Sequence, residues 1–250
     1  SNSLESIYSL SEEAKKYCRV IQVGYNLRYH PGIVKIKKLL EDGAIGRVMR
    51  ADIEFGFYLP DWRPWQDYRK SYTANSTLGG GIILDDTHEL DYPIWLFGDP
   101  IDLVCSAGKM SDLEMDVEDS ADMIIRFVAG VQVTVRIDCV QRFYSRHCTI
   151  IGTQGTLSWD YSKNRIEIFK VDTSNWDSIA YDFNPNDMYL CEMSDFLKKT
   201  ETVAADISSL MNALNVLKTA LAAHRSSKER CWVQLDSFES DTKSGSEGLK

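Results

Sequence analysis

The sequence predicts an α+β fold: one large, predominantly antiparallel open β-sheet with helices packed on one face. Three observations carry this. From Met123 onward, consecutive period-two runs are joined by short polar turns, and such links favour antiparallel pairing because parallel strands need a long crossover. Two long helix-period segments follow them. The chain of 250 residues shows no internal repeat and no break in composition between its ends. This favours a single domain at 9–235, with 1–8 read as a leader or tag remnant and the Ser/Gly-rich 236–250 as a flexible tail.

Ser9-Leu10-Ser11-Glu12 has capping-box spacing and predicts a helix from Ser9 to about Tyr17. Arg19–Tyr25 reads as a short buried strand. Pro31 suits the first position of the next helix, where Ile33, Ile36 and Leu40 share a face and Gly43 marks the stop. Met49, Ala51, Ile53, Phe55 and Phe57 alternate with polar residues in a half-buried strand. Met123, Ile125 and Phe127, then Val131 to Cys139, form two alternating runs around a turn at Ala129-Gly130. Further strands are expected at 101–109, 146–151, 156–161 and 165–171. Helices are expected at Pro185–Thr200, with Leu190, Met193 and Leu197 on one side, and from Asp206 as N-cap through the stripe Ile207 to Leu221.

Composition narrows the function. The chain is 44% hydrophobic with a net charge of −9 and has no basic stripe, a poor match to nucleic acid or anionic lipid. No run reaches the ~18 apolar residues of a membrane span, and no secretory signal is visible. The six cysteines lack metal-ligand spacing, so no metal site is expected; they read as reduced thiols of a cytoplasmic protein.

One stretch stands apart. Asp61 to Tyr72 is a loop dense in aromatics and arginine, types that contact ligands. Gly79-Gly80-Gly81 then permits close backbone approach or positive φ at a helix entry. The helix is expected to run through Asp85, His88 and Asp91 to Phe97, with those three side chains near one face. A carboxylate beside His88 would fix its tautomer and raise its pKa toward neutrality for acid–base work. The alternatives are a dipole-complementing helix start with a structural His88, or a two-carboxylate hydrolase.

Gly24-Tyr25-Asn26-Leu27-Arg28-Tyr29-His30-Pro31, Gly43-Ala44-Ile45-Gly46-Arg47-Val48 and Gly79–Asp91 together resemble the C-terminal half of the Gfo/Idh/MocA family, over residues 9–235. That resemblance implies an NAD(P)-dependent oxidoreductase of a sugar-type small molecule, with the open sheet face building a homo-oligomer. It implies His88 as acid–base, with Asp85 orienting it or binding substrate. Asn26 would touch the cofactor. Arg28, Trp62, Arg63, Tyr68, Arg69 and Tyr72 would bind substrate; pinning of the loop is the alternative for Asn26 and Arg28, and packing under the loop is the alternative for Trp62 and Trp65. The family's usual Asp-x-Gly-x-His is one residue shorter here, Asp85-Asp86-Thr87-His88, a variant resembling members found with acylated-sugar and sialic-acid-type biosynthesis. No GxGxxG follows a strand, and residues 1–8 contain no lysine where the family has Glu-Lys-Pro. The expectation is therefore a substrate domain lacking its N-terminal dinucleotide-binding domain, inactive alone. A stand-alone, non-catalytic binding or assembly module derived from that domain is the other reading.

Overall fold

The computed structural model describes residues 2–4, 7–201, 204–236 and 238; of the predicted tail, residue 237 and residues 239–250 lie outside this set. The elements in chain order are α1 (Ile7–Lys16), α2 (Pro31–Glu41), β1 (Val48–Gly56), α3 (Leu59–Trp62), α4 (Ile82–Asp85), α5 (His88–Phe97), β2 (Pro100–Gly108), β3 (Ser120–Phe127), β4 (Gln132–Asp138), β5 (Ser145–Gly152), β6 (Gly155–Asp160), β7 (Arg165–Lys170), β8 (Asn175–Ala180), α6 (Pro185–Thr200), α7 (Ser208–Glu229) and β9 (Val233–Gln234). Short 3-10 turns occupy Asn26–Tyr29 and the loop between α3 and α4.

Among the described residues all nine strands form one sheet, ordered β8-β7-β6-β5-β1-β4-β3-β2-β9. Every pairing is antiparallel except β1 with β4. The predicted fold class therefore holds. Because side chains alternate across a strand, the register aligns apolar rows on one face. One row runs Ile168, Leu157, Ile150, Ala51, Val133, Ile125, Leu103, and all seven are buried. The helices cover this face. The opposite face carries Glu54, Arg136 and Asp122 side by side, with Arg136 bonded to Asp122 at 3.1 Å.

Helix α7 also closes the sheet edge. The backbone N–H groups of Cys105 and Ala107 donate to Ser226 Oγ (2.8 Å) and Ser227 Oγ (2.9 Å). Edge amides that would otherwise be exposed are thus satisfied by the last turns of a helix.

Four points of the sequence reading need correction. Helix α1 begins at Ile7, so Ser9 lies inside it and the capping box is not its start. Arg19–Tyr25 is not a strand: it makes one isolated bridge, Val20 with Asp206, because no strand lies alongside it among the described residues. Leu190, Met193 and Leu197 share one side of α6 as expected, and each is more than half exposed, so this stripe faces outward. The helix expected through Asp85, His88 and Asp91 is broken at Asp86-Thr87 into α4 and α5. Strands β8 and β9 were not anticipated; β8 is mostly exposed and β9 has two residues, so neither carries a burial period.

His30 explains the entry to α2. Its Nδ1 accepts the Gly32 N–H at 3.0 Å, and its ring is fully buried among Trp159, Tyr161, Tyr181 and Phe183. Burial first, and the Arg146 charge second, lower its pKa from 6.5 to about 4. A base whose pKa is depressed by folding stabilises fully above its unfolded pKa, and that stability is lost as pH falls toward the folded value. We therefore expect acid to remove about 3 kcal/mol between pH 6.5 and 4 through this group. Urea unfolding across that range checks it. His30→Asn, which keeps a capping acceptor, will flatten the slope; an unchanged slope would contradict the assignment.

Candidate functional site

The glycine triad builds the site's entry. Gly79 and Gly81 have φ of +77° and +102°. A Cβ on Gly80 would lie 2.1 Å from the Tyr72 carbonyl oxygen, and one on Gly81 would lie 2.3 Å from Glu118 Oε1. Glu118 Oε1 in turn accepts the Ile83 N–H at 3.2 Å, tying down the first turn of α4. The triad's inner side is filled by this chain's own backbone and carboxylate. It is not an open phosphate cradle.

Below the break between α4 and α5 lies Arg146 on β5. Its Nε donates to Glu89 Oε1 at 2.7 Å and a terminal nitrogen donates to Asp86 Oδ1 at 3.1 Å. Another nitrogen donates to Tyr144 Oη at 3.1 Å, and the guanidinium sits 4.4 Å from the Phe55 ring centre. Asp86 ends α4 and Glu89 lies in the first turn of α5. One guanidinium therefore grips both sides of the break. Burial and then Glu89 push the Asp86 carboxyl well above the usual carboxylate range. Holding Asp86 in its neutral form is the charge balance that a buried cluster facing a single guanidinium favours.

His88 opens α5 directly above this cluster. Its ring meets Tyr25 edge-on at 5.9 Å. Its Nδ1 is shut from water and has no hydrogen-bond partner among the described residues. Burial, aided by Arg146, lowers the His88 pKa against the opposing pull of Asp86 and Asp85. This corrects the expected rise: no carboxylate is bonded to Nδ1, and the imidazole is neutral at pH 7. Tyr25 is itself pushed up to about 12 by burial, and it hydrogen-bonds Thr87.

The other expected site residues divide. Asp85 accepts from Tyr72 Oη at 2.5 Å and Thr73 Oγ1 at 2.6 Å, so it anchors the loop and does not orient His88. Arg63 lies over the Tyr72 ring at 5.9 Å, which gathers Arg63, Tyr72 and Asp85 into one cluster. Trp62 donates its indole N–H to the Phe57 carbonyl at 2.8 Å and packs against Phe55, the packing alternative. Tyr68 Oη accepts from the Glu114 N–H at 3.1 Å. Arg69 is engaged by Asp67 at 2.8 Å and 2.9 Å and by Glu114 at 3.1 Å. Arg28 forks onto Asp91 at 2.9 Å and 2.7 Å. Asn26 is buried at the start of its turn. Arg28 and Arg69 are therefore both held by this chain's own carboxylates, which for Arg28 is the pinning alternative. Burial pushes the Asp91 carboxyl up to about 6 despite Arg28.

Arg146, Asp86 and Glu89 had no assigned role in the sequence reading. The signal was present for Arg146. It lies two and four residues before Cys148 and Ile150, on the face those buried residues share. A charge on the apolar face of a strand marks a buried partner.

Removing the guanidinium leaves two buried carboxyls facing each other. We expect Arg146→Met to destabilise the protein by about 3–5 kcal/mol in urea unfolding. Arg146→Lys will recover less than half of it, because an ammonium cannot fork to both carboxyls. Loss of under 1 kcal/mol in Arg146→Met would show the cluster to be dispensable.

Comparison with known proteins places this geometry. The GFO/IDH/MocA C-terminal domain profile matches residues 33–158, just over half of the chain. Myo-inositol 2-dehydrogenase of Thermotoga maritima is 26% identical over 246 residues, covering 94% of this chain and 70% of the relative. The scyllo-inositol 2-dehydrogenase (NAD(+)) of Bacillus subtilis is 25% identical over 244 residues, covering 94% and 68% respectively. The solved structure of levoglucosan dehydrogenase in complex with NADH and levoglucosan shares the fold at a TM-score of 0.83 and 19% identity, over 94% of this chain and 71% of that one. The relatives are thus longer than the chain described here. The chain belongs to the GFO/IDH/MocA C-terminal domain family.

Proposed function

We propose that this chain is the substrate-binding half of an NAD(P)-dependent oxidoreductase acting on a sugar or polyol hydroxyl, with His88 as its acid–base. One observation carries the reading: a neutral imidazole whose Nδ1 is buried and has no partner among the described residues. A buried polar atom without a partner costs stability, so its retention is accounted for by a ligand that supplies the missing bond. A neutral His88 is in the state that accepts a hydroxyl proton. The names of the relatives support the substrate class: they are inositol dehydrogenases, and one solved neighbour holds levoglucosan and NADH.

The described residues do not build a dinucleotide cradle. They contain one sheet with a single parallel pair, and the glycine triad is filled by its own chain. NAD or NADP would be held mainly by a domain outside them, and no step through the cofactor is assigned to these residues. The same feature favours the second reading, a non-catalytic binding or assembly module. In both readings the open sheet face is the contact for a homo-oligomer. It is continuous across the sheet and mixes ion pairs with the half-buried apolar side chains of Val104, Ile124 and Ile151.

Saturation-transfer NMR with myo-inositol on the 250-residue chain tests the site. We expect contact with wild type and roughly tenfold weaker binding by His88→Ala, the size of one lost hydrogen bond. Equal binding would remove His88 from the site. We expect no NAD(P)-dependent turnover from the chain alone. With a dinucleotide-binding domain present, His88→Ala will cut kcat by ~10²–10⁴ while leaving the fold intact. Turnover by the assembled wild type with no such loss would eliminate the acid–base role, and absence of turnover would favour the binding module.

A further inference from the structure

Glu192 carries a second orphaned acceptor near the first. It projects from α6 toward the segment leading into the Asn26–Tyr29 turn. Its Oε1 is shut from water and has no hydrogen-bond partner among the described residues. Both carboxylate oxygens lie 3.8 Å from where a Cβ on Gly24 would stand. Gly24 has no side chain to occupy that space and is itself exposed. Tyr25, the next residue, meets the His88 ring. The two orphaned atoms therefore flank one short segment, Gly24-Tyr25.

The donors around Glu192 are already committed. Arg28 is forked onto Asp91, and Tyr29 donates to Asp195 Oδ2 at 2.7 Å. Gln22 Nε2 donates to the Glu192 main-chain carbonyl at 3.1 Å, not to its carboxylate. Tyr25 is bonded to Thr87. Burial, with Asp91 nearby, raises the Glu192 pKa, as expected of a carboxylate left without a donor.

We infer that Glu192 is a specificity-determining residue that accepts a hydrogen bond from a second hydroxyl of the polyol whose first hydroxyl reaches His88. This deepens the reading under Proposed function and rests on it. A carboxylate accepts from neighbouring hydroxyls without needing a counter-cation, and a bond to a charged acceptor is stronger than one between neutral groups. A site with two such groups, one beside Gly24 and one beside Tyr25, selects polyhydroxylated substrates over simple alcohols. An analogue lacking the second hydroxyl leaves a buried acceptor unpaired, which discriminates sharply.

The test is myo-inositol binding by saturation-transfer NMR to the 250-residue chain as wild type, His88→Ala, Glu192→Gln and Glu192→Ala. Thermal unfolding of each is recorded beside it. We expect Glu192→Ala to weaken binding by about 10- to 100-fold, the range for a hydrogen bond to a charged group, with Glu192→Gln between it and wild type. Unfolding temperatures of both Glu192 variants will stay at or above wild type, because the lost carboxylate had no partner to leave behind. Wild type that binds, with His88→Ala weakened and both Glu192 variants unchanged, overturns this inference and leaves the reading of His88 standing. Wild type that shows no contact with myo-inositol overturns both. Glu192 variants that bind weakly and also unfold early show a structural role and overturn the inference.

Discussion

The architecture of the site depends on one buried guanidinium. Arg146 occupies an apolar row of the sheet, opposite Phe55, where a charge is costly unless it is paired. Its partners come from both sides of a helix break, Asp86 and Glu89. Without that grip the residues from Ile82 to Phe97 could form one continuous helix, which is what their pattern suggests. The break turns α5 so that His88 stands at its first position. The sheet thus sets the position of the imidazole through a side chain, not through backbone continuity.

The same cluster tunes the imidazole. A histidine beside carboxylates is ordinarily raised in pKa. Here the nearest carboxyls face a guanidinium, and burial dominates, so the net direction is downward. A lowered histidine near neutral pH is a proton acceptor and not a donor. The His88 Nδ1 is left without a hydrogen-bond partner among the described residues, because the neighbouring carboxylates bond elsewhere.

The fold was largely legible because two periods run through the sequence. Alternation in Ala51, Ile53 and Phe55 and in Val133, Val135 and Ile137 became the buried rows of β1 and β4. Pro31 and Pro185 marked helix starts that the structure keeps. Arg19–Tyr25 misled because strand composition says nothing about whether a partner strand lies alongside. The outward stripe of α6 illustrates the same limit, since helical period shows a face but not what covers it. The ion cluster was harder to read: its members are separated by 57 and 60 residues, and only the register of β5 brings them together.

The loop residues singled out by type are mostly engaged by groups of this chain itself. Arginines and aromatics in a loop are good ligand contacts, but they are also good partners for each other. Arg69 is held by Asp67 and Glu114, Arg28 by Asp91, and the Trp62 indole by a carbonyl five residues earlier. A group already satisfied must give up those bonds to bind a substrate, and that exchange weakens its contribution. The atoms that gain most from a ligand are those the fold leaves unsatisfied. His88 Nδ1 has that property and follows the glycine triad at a helix start. Position relative to the break, and the bond left unmade, identify the functional group better than residue type does.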